Sequence, residues 1–224
     1  MQALIFDMDG TLVDSEKFWM LMPRILLREN GIVLTDGEWE NASWRSTSFR
    51  GTLKAYFSLP ECALKQSYEE CEKWCRDYIY NRIYASGDQI LLKQGAKEAV
   101  EAAASLGLPM CIVSMTPVGM IDFTLSNLGI RRYFTFVYST DQQPLTKKDP
   151  ELFDQIAARL GTIPEECLVI EDSLYAMIGA KTAGCSVWAV PDEKHVLVRK
   201  EIQDTADRYF ENLSSLAEAF SALK

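Results

Sequence analysis

Residues 3–11 read ALIFDMDGT: four apolar residues, then Asp7, Met8, Asp9, Gly10 and Thr11. A short apolar run closed by a polar turn is the pattern of a strand buried on both faces, as in a parallel sheet. The next seventy or so residues contain no second strand. From Ser15 to about Tyr84 the pattern is helical, with Phe18, Leu21, Met22, Ile25 and Leu26 at three- and four-residue spacing. Pro23 is placed to kink that helix and Gly31 to stop it. Leu64, Tyr68, Cys71, Cys75, Tyr78 and Arg82 mark another long helix.

After Gly87 the chain alternates. A helix is predicted over about Ala96–Ser105, a strand at 110–113 (MCIV), a helix through Ile121, Leu125 and Leu128, and a strand at 134–138. A helix over 151–160 follows, with Asp149 as N-cap and Pro150 at its first position. Then come a strand at 168–170 (LVI), a helix ending at Gly184 and a strand at 187–190 (VWAV). Strands separated by helices of this length require crossover connections. The expected fold is therefore α/β: a Rossmann-like parallel sheet with helices on both faces, formed by residues 1–14 and 88–224. An all-helical cap, residues 15–87, is inserted after strand one.

The chain has 224 residues, 48% of them hydrophobic and 25% charged, enough for a sizeable core without disulfides. Its net charge of −9 speaks against a nucleic-acid partner and against an anionic membrane surface. No apolar run reaches the length of a membrane span, and MQALIFDMDG is not a signal peptide. The six cysteines form no CxxC pair, which fits reduced core thiols and a cytoplasmic location better than a zinc site. With one histidine, His195, in the whole chain, carboxylates and lysines are left to carry any chemistry.

In an open α/β sheet, ligands bind beyond the carboxyl ends of the strands. The predicted strand ends offer Asp7 and Asp9, then Ser114, then Lys147 and Lys148, then Glu171 and Asp172. Taken singly, Ser114 reads as a helix cap, Lys147 as a solvated loop lysine and the acidic pairs as turns. In this order, each at a strand end, they fit a phosphate and a divalent cation together. Four carboxylates in one site repel one another, and a hard oxygen-seeking ion such as Mg²⁺ relieves that. The same ion removes the repulsion, about 4 kcal/mol at 4 Å and an effective dielectric near 20, between a carboxylate and a phosphate dianion. Asp7 is then a nucleophile on phosphorus and Asp9 an acid for the leaving group and a base for water. Gly10 permits the sharp turn that sets Asp9 beside Asp7 and aims its carbonyl at the metal.

The chain resembles the haloacid dehalogenase (HAD) superfamily, specifically members with a helical cap inserted after the first strand. The first family motif matches Asp7-Met8-Asp9-Gly10-Thr11, the second Ser114, and the fourth Glu171-Asp172 with Gly179, Ala180, Ala183 and Gly184 after it. The third, a lysine before P-x-P, matches Lys147-Lys148-Asp149-Pro150, with lysine in place of the first proline. The resemblance implies that Asp7, Asp9, Glu171 and Asp172 hold Mg²⁺, with Asp172 a direct ligand and Glu171 acting directly or through water. It implies that Ser114 and Lys147 hold the phosphate, with Lys148 the other candidate.

The dehalogenases lack an acid at the position of Asp9, which leaves a phosphatase or a phosphomutase. Sugar phosphomutases of the β-phosphoglucomutase type carry a histidine in the first cap helix, where this chain has about Trp19, and need further cations, for which Arg24, Arg45 and Arg50 are available. A non-catalytic phosphate-binding domain is a third alternative, opposed by the intact Asp7 and Asp9. In the cap segment Trp39–Tyr56, Arg45 and Arg50, together with Trp19, are candidates for contacting substrate; cap core is the competing reading. The expectation is a monomeric phosphatase that hydrolyses a small phosphorylated metabolite, such as a sugar phosphate, through an aspartyl-phosphate.

Overall fold

The computed structural model describes residues 1–45 and 49–223. In chain order its elements are β1 (Ala3–Phe6), α1 (Glu16–Glu29), α2 (Asp36–Glu40), α3 (Phe49–Phe57), α4 (Tyr68–Tyr78), α5 (Ala96–Ala104), β2 (Met110–Ser114), α6 (Val118–Asn127) and β3 (Phe136–Ser139). These are followed by α7 (Pro150–Leu160), β4 (Cys167–Glu171), α8 (Leu174–Thr182), β5 (Ser186–Ala189), α9 (Arg199–Thr205), β6 (Arg208–Tyr209) and α10 (Leu213–Ser221). The chain divides into two compact units, Met1–Asp14 with Ile90–Lys224, and Ser15–Gln89.

In the first unit all strands run parallel in the order β3-β2-β1-β4-β5-β6. This is a doubly wound, Rossmann-like sheet. β1 is central, and the chain winds outward from it in one direction through β2 and β3, then in the other through β4, β5 and β6. The reversal falls between β1 and β4, where such sheets open a crevice beyond their carboxyl ends. Register sets Phe6 opposite Ile112 and Ile170, so Asp7 emerges into that crevice beside Glu171.

Strand side chains alternate between two buried faces. Ala3, Ile5, Cys111, Val113, Cys167, Val169, Val187 and Ala189 pack with Leu152, Phe153 and Ile156 of α7, Met177 and Ala180 of α8 and Ile202 of α9. On the other face Phe6 meets Phe134 and Phe220, with ring centroids 5.8 and 6.1 Å away, and Trp188 packs against Phe220 in a tilted pair at 5.2 Å. Phe220 belongs to α10, which lies along α5. The six cysteines are all free, and burial pushes the Cys75 and Cys185 thiols up to about 12.

Several element boundaries differ from expectation. The third strand starts at Phe136, because a short 3-10 turn occupies Arg131–Tyr133. Asp149 occupies the N-cap position of α7, but its side chain turns back to Thr146 and does not cap the helix. The segment after residue 190, for which no strand or helix was predicted, supplies α9, β6 and α10. A two-residue strand carries no readable alternation.

In the helical unit, Pro23 lies inside α1, which runs from Glu16 to Glu29 as one helix. The helix expected to run from Leu64 starts only at Tyr68, because Ser67 and Glu70 form a capping box there. It passes into a π-helical turn at Ile79–Tyr84. Residues 46–48 of the segment Trp39–Tyr56 lie outside the described residues.

Candidate active site

Asp7 leaves the end of β1 with its backbone N–H donating to the Ile170 carbonyl of β4 (3.0 Å), so it is still held to the sheet. Gly10, at φ +87°, turns the chain back, and the Leu12 and Val13 amides both donate to the Met8 carbonyl. Asp9 thus stands on a closed turn. Its Oδ2 accepts from Ser114 Oγ (2.9 Å) and Thr116 Oγ1 (2.8 Å), both at the end of β2, and the Thr116 amide donates to Ser114 Oγ (3.0 Å).

Lys147 enters from the loop before α7. Thr146 donates to Asp149 Oδ2 through both its amide (2.7 Å) and its hydroxyl (2.8 Å), and the Asp149 amide donates to the Thr146 carbonyl (3.0 Å). This bracket tightens the loop around Lys147, whose ammonium donates to Asp7 Oδ1 (2.5 Å) and Glu171 Oε2 (2.8 Å). Of the two lysines weighed from the sequence, Lys147 is buried between the acids. Lys148 is exposed, its ammonium 5.8 Å from the Tyr175 ring centroid.

Glu171 ends β4. Its Oε1 accepts from the amides of Asp172 and Ser173 (3.1 Å each) and from Ser173 Oγ (2.9 Å), so it serves the start of α8 as well as Lys147. Asp172 Oδ1 accepts from Thr11 Oγ1 (3.2 Å), and its Oδ2 lies 3.4 Å from His195 Nε2. Carboxylate oxygens of Asp7, Glu171 and Asp172 all lie within 4.8 Å of one another, and the three residues are buried.

Burial, reinforced by the Glu171 charge and opposed by Lys147, holds the Asp7 carboxyl well above the usual carboxylate range. Burial likewise raises Glu171, against the pull of Lys147. For Lys147 burial is the largest single influence and pulls its pKa down, but Asp7 and Glu171 together outweigh it and hold the ammonium well above its ordinary value. A buried trio of oxygen donors carrying more negative charge than one lysine offsets is the environment a hard divalent cation fits.

The structure thus brings Asp7, Lys147, Glu171 and Asp172 together and ties Asp9 to Ser114. The Asp9 carboxylate is not in the three-acid group; its Oδ2 accepts instead from the Ser114 and Thr116 hydroxyls. Trp19, Arg45 and Arg50 belong to the helical unit and are engaged in its own packing. Trp19 meets Phe49 and Tyr80 at 5.1 and 5.6 Å. Arg45 donates to the Trp39 carbonyl (3.3 Å) and lies 4.7 Å from that residue's ring centroid, while Arg50 pairs with Glu72 at 2.8 Å. Thr11, Thr116, Ser173 and His195 approach the acids, and the sequence reading gives none of them a role in the site. Applying the strand-end rule to β5 would have found His195, since that strand ends at Ala189.

A model of the haloacid dehalogenase-like hydrolases matches residues 1–184. Hexitol phosphatase B of Escherichia coli (strain K12) is 27% identical over 197 residues, which cover 84% of this chain and 83% of that protein. The phosphorylated carbohydrates phosphatase of Thermotoga maritima is 28% identical over 186 residues, 82% of each chain. Among solved structures, a HAD family hydrolase of Deinococcus radiodurans R1 has the same fold, with a TM-score of 0.69, 24% identity and coverage of 100% of this chain and 97% of that one. The matched span takes in the strand ends that carry Asp7, Ser114, Lys147 and Glu171, and the chain belongs to the haloacid dehalogenase-like hydrolase family.

Proposed function

We propose that this chain is a Mg²⁺-dependent phosphomonoester hydrolase that acts on a small phosphorylated metabolite of the sugar-phosphate class through a phosphoenzyme on Asp7. The observation that carries this is the Asp7 carboxylate, buried at the crevice between β1 and β4, bonded to Lys147 and grouped with Glu171 and Asp172. Two curated relatives named as phosphatases of hexitols and phosphorylated carbohydrates support the substrate class.

Asp7, Glu171 and Asp172, with the Asp9 carbonyl, are the groups to hold the cation. Bound there, it supplies the positive charge that lets a carboxylate approach a phosphate dianion. An Asp7 oxygen attacks phosphorus as the bond from phosphorus to the leaving oxygen breaks. Asp9 gives its proton to that oxygen. Water then attacks the phosphorus of the aspartyl-phosphate, Asp9 takes the water's proton, and the bond to Asp7 breaks to release phosphate. Ser114 and Lys147 hold the phosphoryl oxygens through both steps. The helical insertion is assigned the role of a cap that selects the leaving group and excludes water.

The mutase alternative needs cations from the insertion for a second phosphate. Arg24 is paired with Asp36 at 2.7 Å, Arg50 with Glu72, and Arg45 is bonded to Trp39, which favours hydrolysis.

The test is phosphate release from p-nitrophenyl phosphate and from a panel of sugar phosphates. EDTA is expected to abolish it, Mg²⁺ to restore it and Asp7→Asn to remove it. Full activity in Asp7→Asn sinks the nucleophile. Isomer formed faster than phosphate from β-glucose 1-phosphate with a bisphosphate primer sinks the choice of hydrolase over mutase.

A further inference from the structure

Lys93, just before α5, takes no part in the reaction described above, yet its ammonium has a full set of partners. It donates to the Gly10 carbonyl (2.6 Å), the Pro191 carbonyl (2.8 Å) and Asp192 Oδ2 (3.0 Å), one acceptor for each of its three hydrogens. Its backbone amide donates to the Leu12 carbonyl (2.9 Å), so main chain and side chain are both tied to the turn that follows Asp9. Asp192 is nearly as enclosed as the site itself, with 8% of its side chain exposed.

Both segments that Lys93 joins lead to Asp172. On one side, Gly10 precedes Thr11, whose hydroxyl donates to Asp172 Oδ1. On the other, the Asp192 carbonyl accepts the His195 amide (3.1 Å), and His195 Nε2 stands 3.4 Å from Asp172 Oδ2. The contacts form a ring: Asp172, Thr11, Gly10, Lys93, Asp192, His195 and back to Asp172. Every member lies in the same compact unit. Thr11 therefore reaches one carboxylate oxygen by a hydrogen bond from the loop after β1, and His195 stands at ion-pair distance from the other, without a hydrogen bond, from the loop after β5, with Lys93 bonded to both loops. A ligating carboxylate must present its oxygens in one orientation, and groups around it that fix this orientation govern metal affinity.

We propose that Lys93 and His195 are positioning residues that hold the Asp172 carboxylate in its orientation for the divalent cation. The proposal rests on the assignment of Asp172 as a metal ligand.

The experiment uses the full chain, stripped with chelator, and measures Mn²⁺ binding by titration calorimetry, with Mg²⁺ by competition. The proteins are the wild type, Lys93→Met, Lys93→Arg, His195→Phe and the Lys93→Met/His195→Phe double variant; thermal unfolding in chelator is recorded for each. Lys93→Met and His195→Phe are each expected to weaken Mn²⁺ binding by about 10- to 100-fold, with Lys93→Arg restoring most of the loss. The double variant is expected to bind no more weakly than the worse single one, since both act through one carboxylate. At saturating Mg²⁺, kcat is expected to recover towards wild type while the Mg²⁺ concentration for half-activity stays raised. Wild-type Mn²⁺ affinity in both single variants overturns the proposal and leaves the hydrolase reading standing, as do losses that multiply in the double variant or merely follow a fall in melting temperature. A wild-type protein that binds neither cation overturns both.

Discussion

Lys147 and Gly179 come so close that a Cβ on residue 179 would lie 2.2 Å from the Lys147 carbonyl oxygen and 3.0 Å from the Lys148 carbonyl carbon. The obstacle is backbone on both counts, so α8 sits against the lysine loop only because residue 179 has no side chain. Gly179→Ala is expected to destabilise the protein by about 1–3 kcal/mol through overpacking, and to displace Lys147 from Asp7. Urea unfolding measures the first effect. Phosphatase activity at a temperature where the variant is folded measures the second, and wild-type activity there counts against the coupling of loop and helix.

Removing the ammonium alone leaves two buried carboxylates uncompensated. Lys147→Met is expected to cost about 3–5 kcal/mol at neutral pH, and less at acid pH, where more of the Asp7 and Glu171 carboxyls, both raised by burial, carry protons. Lys148→Ala, at an exposed position, is expected to stay within about 0.5 kcal/mol of wild type. Urea melts at the two pH values decide; equal penalties for Lys147→Met at both contradict the burial argument.

Asp7 and Glu171 also set a pH dependence in the metal-free protein. Burial is the main cause of both raised carboxyl values, with the Glu171 charge adding at Asp7, the Asp172 charge adding at Glu171 and Lys147 opposing at each. In the unfolded chain these groups ionise near pH 4. Between there and their raised folded values the native state binds more protons. Their contribution is therefore fully present below about pH 4 and is lost as pH rises through the folded values. In chelator at pH 7.5, Asp7→Asn is expected to be more stable than wild type by on the order of 1 kcal/mol, or about 2–4 °C. The advantage shrinks near pH 4, and added Mg²⁺ reverses the order by stabilising the wild type. Calorimetry that finds the variant less stable in chelator at pH 7.5 contradicts this.

Thr116 shares with Ser114 the task of holding Asp9. Thr116→Val removes one donor to a carboxylate, worth about 1.5–3 kcal/mol, and is expected to cut kcat on sugar phosphates by roughly 10- to 100-fold. The loss is expected to be smaller on p-nitrophenyl phosphate, whose leaving group needs little protonation. Asp9→Asn is expected to show the same contrast with a larger loss, about 10²- to 10⁴-fold on the sugar phosphate. Equal losses on both substrates remove the acid role.

The sequence by itself determined the alternating core and the groups at its strand ends, because a buried strand, a helix stripe and a Gly or Pro stop are short-range patterns. β1 at 3–6 and Asp7, Asp9, Ser114, Lys147, Glu171 and Asp172 could be read that way. The helical pattern after residue 14 is short-range in the same way, since no apolar run breaks it until past Gly87. Only the tertiary structure decided which of these groups meet. Lys147 reaches Asp7 across 140 residues, Thr116 reaches Asp9 across 107 and Thr11 reaches Asp172 across 161. Those encounters follow from the order of strands in the sheet, which the alternation of helix and strand does not encode. The same holds for Arg45 and Arg50, whose partners lie within the helical unit's own packing, and for His195. Its place beside Asp172 depends on a loop that Lys93 ties down from the far side of the turn.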